Sequence, residues 1–172
     1  DPVSGIVLRH HGVLLPTLVE DVTPDAVVAE KVRAFEALVD SGLSQQIATL
    51  TVGWLRRMDG ESNIGNWQTD VMRDFAKVDV AFQNGGGIRK DLEAGPVTLR
   101  DMWEISPFGN EFVTFSVSGQ QLLDMLRFQA RTSKEFCQVS GLRYRYDFDE
   151  PTDRALHAEI DGNPIDPKRS YS

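Results

Sequence analysis

The 172-residue sequence predicts an α+β domain, or an irregularly mixed α/β one. Three observations carry this. Apolar residues recur at helical spacing within 24–42, 62–77 and 119–132. Short alternating runs, bounded by Gly, Pro, Asn and Asp, lie between and after these stretches. The two kinds of segment follow one another without a regular strand–helix–strand period, which argues against a doubly wound parallel sheet. Hydrophobic residues make up 41% of the chain, enough for a core.

Residues 1–16 read as extended pieces bent at Gly12. In the next segment Thr23 suits an N-cap, Pro24 a first helical position and Gly42 a stop. Val27, Val28, Val32, Phe35, Leu38 and Val39 form its apolar stripe. Residues 45–55 alternate and are rich in Thr, Ile and Val, as a strand is. A second helix is expected over 62–77, capped by Ser62 or Asn63, with Ile64, Trp67, Val71 and Phe75 on its buried face. A strand over 78–83 is broken by three glycines, and 95–99 is short and extended. Thr98 with Asp101 makes a capping box for a short helix. Residues 110–118 alternate as a strand. Ser118 with Gln121 makes a second capping box, and Leu122, Met125, Leu126 and Ala130 face the core from the helix it opens. The remainder reads as strands joined by turns, with Asp161-Gly162 as a hairpin signal.

Composition excludes several functions. The net charge is −8 and no run of Lys and Arg is present, so a nucleic-acid partner is not expected. The apolar runs are too short for a membrane span, and no basic start leads into an apolar stretch as in a signal peptide. Cys137 is the sole cysteine, which excludes an intrachain disulfide and a cysteine-rich zinc site. His10 and His11 are adjacent, so a regular strand would point them to opposite faces; packing or surface roles are expected, not a metal site. Asp147, Asp149, Glu150 and Asp153 read as a solvated turn, since the glycine-containing calcium loop is absent. No Ser-His-Asp or Cys-His arrangement is readable, and no catalytic residue is assigned.

Two stretches hold candidate ligand-binding groups. In NGGGIR, Asn84 to Arg89, consecutive glycines such as Gly86 and Gly87 let a ligand approach the backbone, and their N–H groups can face an anion. Arg89 adds a planar fork suited to phosphate or carboxylate, and Asn84 adds donors and an acceptor. The loop matches neither common phosphate motif, so a tight structural turn is an equal reading of these residues alone. In SPFGN, Pro107 and Gly109 hold Phe108 in a turn, either as a hydrophobic plug or as a stacking surface. Asn110 beside it is a turn residue or a ligand contact.

The order ESNIGNWQTDVM, then QNGGGIRKDLEAGPVTLRDMWEISPFGNEF, then FCQVSGLRYRYD resembles the C-terminal domain of the 5′-nucleotidase and UDP-sugar hydrolase family across residues 45–172. The resemblance implies layered sheets flanked by helices and a domain that binds a nucleoside or nucleotide, with a non-catalytic nucleoside-binding or interaction module as the alternative. It implies that residues 1–44 are the end of an upstream domain with a bridging helix. Catalysis would belong to a separate N-terminal metallophosphoesterase domain carrying two divalent metal ions, so residues 1–172 are expected to be inactive alone and to need no cofactor of their own. A periplasmic or extracellular location is implied too. By the same resemblance Asn84 contacts the base, Arg89 lies near ribose and phosphate, Phe108 stacks on the base and Asn110 is a further contact. Many members carry an arginine where this chain has Gly60, and Arg56 or Arg57 is the expected phosphate-side substitute. A G-G-D-G-[YF] motif that supplies a second stacking ring lies beyond the strand expected at Tyr171, leaving one stacking face here.

Overall fold

A computed structural model describes residues 3–172 except 8, 17, 19, 21, 133–135 and 147–155, and only the backbone of 41, 131, 132 and 146. The acidic cluster at 147–153 therefore lies outside the described residues. The chain divides into two units, Asp1–Ser41 and Gly42–Ser172.

In the first unit, the described residues before helix α1 (Ala26–Leu43) form neither helix nor strand. Its cap is Asp25, not Thr23. The Asp25 carboxylate accepts from the N–H groups of Val27 and Val28 at 2.9 and 3.0 Å, and its carbonyl accepts the first helical bond from Ala29. Its apolar stripe is exposed along its length, Phe35 to 68%. Periodicity located the helix but could not supply a core for it.

The second unit opens with β1 (Gln46–Leu50), shorter than the alternation over 45–55 suggested; Trp54 makes only a bridge to Leu92. Helix α2 (Asn63–Ala76) follows, capped by Ser62, whose hydroxyl accepts from Gly65 N–H. Then come β2 (Ala81–Asn84), a 3₁₀ turn over Gly85–Gly87, β3 (Gly95–Thr98) and α3 (Leu99–Ile105). The Thr98–Asp101 capping box is complete in both directions. After α3 come β4 (Val117–Ser118), α4 (Gly119–Thr132), β5 (Cys137–Ser140), β6 (Arg143–Tyr146), β7 (Leu156–Ile160), β8 (Asn163–Pro164) and β9 (Ser170–Tyr171). Ser118 and Gln121 cap α4 reciprocally, as expected.

All the described pairings are antiparallel: β1 with β3, β2 with β5, β4 with β9, and β7 between β6 and β8. Asp161 and Gly162 both take positive φ, 51° and 75°, in the tight turn between β7 and β8. Of the strand expected over 110–118 only Val117–Ser118 forms, paired with Ser170–Tyr171. The preceding residues leave Phe112, Val113 and Phe115 exposed.

Two clusters form the core. One gathers Leu122, Leu126, Leu142, Ile160, Ile165 and Tyr171. The other gathers Ile64, Ile88, Leu92, Val97 and Ile105 beneath the glycine turn. Two expected faces are buried in part: Ile64 on α2 and Leu122, Leu126 and Ala130 on α4 are buried, and Trp67 packs against the second cluster. On α2, Val71 and Phe75 are exposed while Gly65 and Thr69 are buried; on α4, Met125 is 40% exposed. Gly65 lies where α2 meets β5. A Cβ there would stand 2.3 Å from the Oε1 of Gln138 on β5, so the bare backbone is what lets helix and strand meet. No helix among the described residues is long and apolar enough to cross a membrane.

Candidate functional site

The glycine turn sits on the second core cluster. Ile88 is 1% exposed and packs in the same cluster as Ile105, the last residue of α3. The Arg89 N–H donates to the Ile105 carbonyl at 2.8 Å. Lys90 adds an ionic tie: its ammonium bonds Asp101 at 2.7 Å and Glu104 as well. Asp101 thus serves both the α3 cap and the clamp. Lys90 holds its carboxyl down to about 2, with help from the Thr98 hydroxyl and N–H; the two carboxylates push the Lys90 ammonium up.

These ties set the spacing of two candidate ligand groups. The turn after α3 carries Phe108, half-exposed and followed by Gly109 at φ 62°. The Arg89 guanidinium lies 6.0 Å from the centre of the Phe108 ring, at the outer reach of a cation–π contact. Its Nη1 also donates to the Gly86 carbonyl at 3.2 Å. Asn84, at the end of β2, and Asn110 both line a cavity of about 800 Å³ that extends toward Phe112 and Phe115. The Asn84 carboxamide oxygen accepts from Gln83 at 3.0 Å. Gln68 lines the same cavity, and its buried carboxamide oxygen has no hydrogen-bond partner among the described residues.

Two of the three glycines are also required by the protein's own packing. None has positive φ. A Cβ on Gly85 would stand 3.0 Å from the Phe136 carbonyl and 3.1 Å from that of Arg57, and one on Gly87 would stand 2.2 Å from the Gln83 side chain. At these two positions glycine makes room for the protein's own groups.

The two arginines proposed for the phosphate side are held differently. Arg56 braces the turn: its Nη1 donates to the Arg89 carbonyl at 3.0 Å and to that of Ile88 at 3.4 Å. Its own N–H bonds the Asp91 carboxylate at 2.7 Å. Arg57 is exposed and pairs with Asp59 at 3.4 Å. Sequence reading missed Gln138, Lys90, Asp101 and Glu104 as supports. The one available signal was Gly65 in the first turn of an otherwise well-formed helix. Among the described residues, no group of three or more His, Cys, Asp or Glu side chains is gathered that could hold a metal ion.

The profile of the 5′-nucleotidase C-terminal domain matches residues 46–172. The chain belongs to this family. It is similar to endonuclease YhcR of Bacillus subtilis, 30% identical over 159 residues, covering 88% of this chain and 13% of that protein. It is also similar to a 5′-nucleotidase of Vibrio parahaemolyticus, 28% identical over 144 residues, covering 77% of this chain and 25% of the relative. Among solved structures, a 5′-nucleotidase precursor of Thermus thermophilus superposes with a TM-score of 0.73 at 31% identity, over 86% of this chain and 32% of that one. The chain thus spans a third or less of the length of each. Family and fold agree with the α+β expectation.

Proposed function

We propose that this domain holds the nucleoside part of a nucleotide for a 5′-nucleotidase-like phosphohydrolase, whose catalytic domain with its two divalent metals is a separate part of the protein. The observation that carries the reading is the 6.0 Å pairing of Arg89 with Phe108, beside a cavity lined by Asn84 and Asn110. That set holds a flat ring for a base, two carboxamides for its edge, and a cation for the phosphate. The domain's role is to orient the ester toward the catalytic groups. A periplasmic or extracellular location accompanies this reading, supported by the family resemblance.

Calorimetric titration of the chain with AMP and adenosine is the test. Stacking on one face is worth about 1–3 kcal/mol, so Phe108→Ala lowers affinity for both ligands by roughly 5- to 150-fold. Arg89→Ala weakens AMP more than adenosine. Equal binding by wild type and the double variant overturns the reading. Because one relative is named an endonuclease, a second reading places the nucleotide at the end of a strand. A tetranucleotide that binds more tightly than AMP would favour it over the mononucleotide, against the −8 charge of the chain.

A further inference from the structure

Gln138 is fully buried on β5, yet none of its side-chain bonds serves the sheet. Its Nε2 donates to the Gly60 carbonyl at 2.9 Å and to the Arg57 carbonyl at 3.4 Å. Its Oε1 accepts from the Ser62 N–H at 3.0 Å and the Ser62 hydroxyl at 3.3 Å. One carboxamide therefore grips both ends of the loop 57–62. Phe136 adds a backbone bond to Met58, and its carbonyl accepts from Gly85 N–H. The Arg57 carbonyl, so held, lies 3.1 Å from where a Cβ on Gly85 would stand. The loop is thus one wall of the glycine turn.

We propose that Gln138 is a positioning residue for the phosphate side of the nucleotide site, setting Arg57, by its backbone carbonyl and the loop 57–62, against the glycine turn that carries Arg89. This rests on the nucleotide-binding reading. The base side is held by other means. Asn84 sits in the β2–β5 ladder, and Phe108 follows a helix tied to the turn through Arg89 and Lys90. Loss of the Gln138 carboxamide therefore loosens the phosphate side and spares the base side. The distinguishing quantity is the ratio of AMP to adenosine affinity, which a uniform loss of folded protein leaves unchanged.

Gln138→Met keeps the volume and removes every hydrogen bond. Wild type is expected to prefer AMP, and equal binding of AMP and adenosine overturns the inference; in Gln138→Met that preference falls at least about fivefold while adenosine affinity stays within about threefold, roughly 0.7 kcal/mol at 1.4 kcal/mol per tenfold. Gln138→Glu, assayed at pH 5, where a buried carboxyl is protonated and donates one bond, retains part of the preference. If circular dichroism shows Gln138→Met unfolded, Ser62→Ala, which removes the hydroxyl bond to Oε1, is read the same way with a smaller shift. A preference unchanged in the folded variants, or adenosine and AMP weakened equally, overturns the inference and leaves the nucleotide reading standing. A wild type that binds neither ligand overturns both.

Discussion

Gly65→Ala separates local helix propensity from tertiary packing, because the two predict opposite signs. Gly65 lies in the first turn of α2, where alanine is intrinsically better by at most about 1 kcal/mol. In the folded chain the added Cβ would stand 2.3, 2.4 and 2.5 Å from the Oε1, Cδ and Cγ of Gln138. That side chain cannot swing aside cheaply, since it is fully buried and bonded to Ser62, Gly60 and Arg57. Overpacking of this kind costs about 1–3 kcal/mol, and each buried polar group left unpaired about 1–3 more. With propensity subtracted, Gly65→Ala destabilises by about 2–4 kcal/mol, roughly 6–12 °C in Tm for a unit of this size. Urea and thermal unfolding followed by circular dichroism measure it. The double variant Gly65→Ala/Gln138→Ala relieves the collision, so the two changes couple by at least about 1 kcal/mol. A Gly65→Ala chain as stable as wild type, or strictly additive losses, refutes the reasoning.

Three further outcomes are expected. The Asp101 carboxyl is held below its ordinary value, so its contribution is present above about pH 4 and lost as the pH falls toward about 2. Lys90 is a third exposed, so solvent screens the pair to about 1 kcal/mol; acid titration of stability shows wild type and Asp101→Asn converging by that amount between pH 5 and 2.5. A Cβ on Gly119 would stand 2.0 Å from the Asp166 backbone oxygen, which cannot rotate away. Gly119→Ala therefore costs about 2–3 kcal/mol in urea unfolding, although it too lies in a helix. Asp25→Ala removes the cap of α1 and lowers its stability by about 1 kcal/mol, read as lost helical signal on mild heating.

The sequence by itself determined whatever depends on neighbours along the chain. Helix starts at Ser62, Thr98 and Ser118 are written in side chains that bond a backbone N–H three residues on. The Asp161-Gly162 turn is written in residues that tolerate positive φ. The motif order placed the chain in its family, and so its α+β fold. Burial was legible only in part, because a periodic stripe says which face is apolar and not what meets it. Ile64 found a core, while Phe75 on the same helix and the whole stripe of α1 did not. Tertiary structure alone decided that Gly85 and Gly87 accommodate the protein's own carbonyl and carboxamide groups, and that Arg56 braces the turn carrying Arg89. It also decided that Gln138, more than seventy residues away along the chain, clamps the loop beside it. These are contacts between segments distant in sequence, and no local pattern encodes which carbonyl a buried carboxamide will reach.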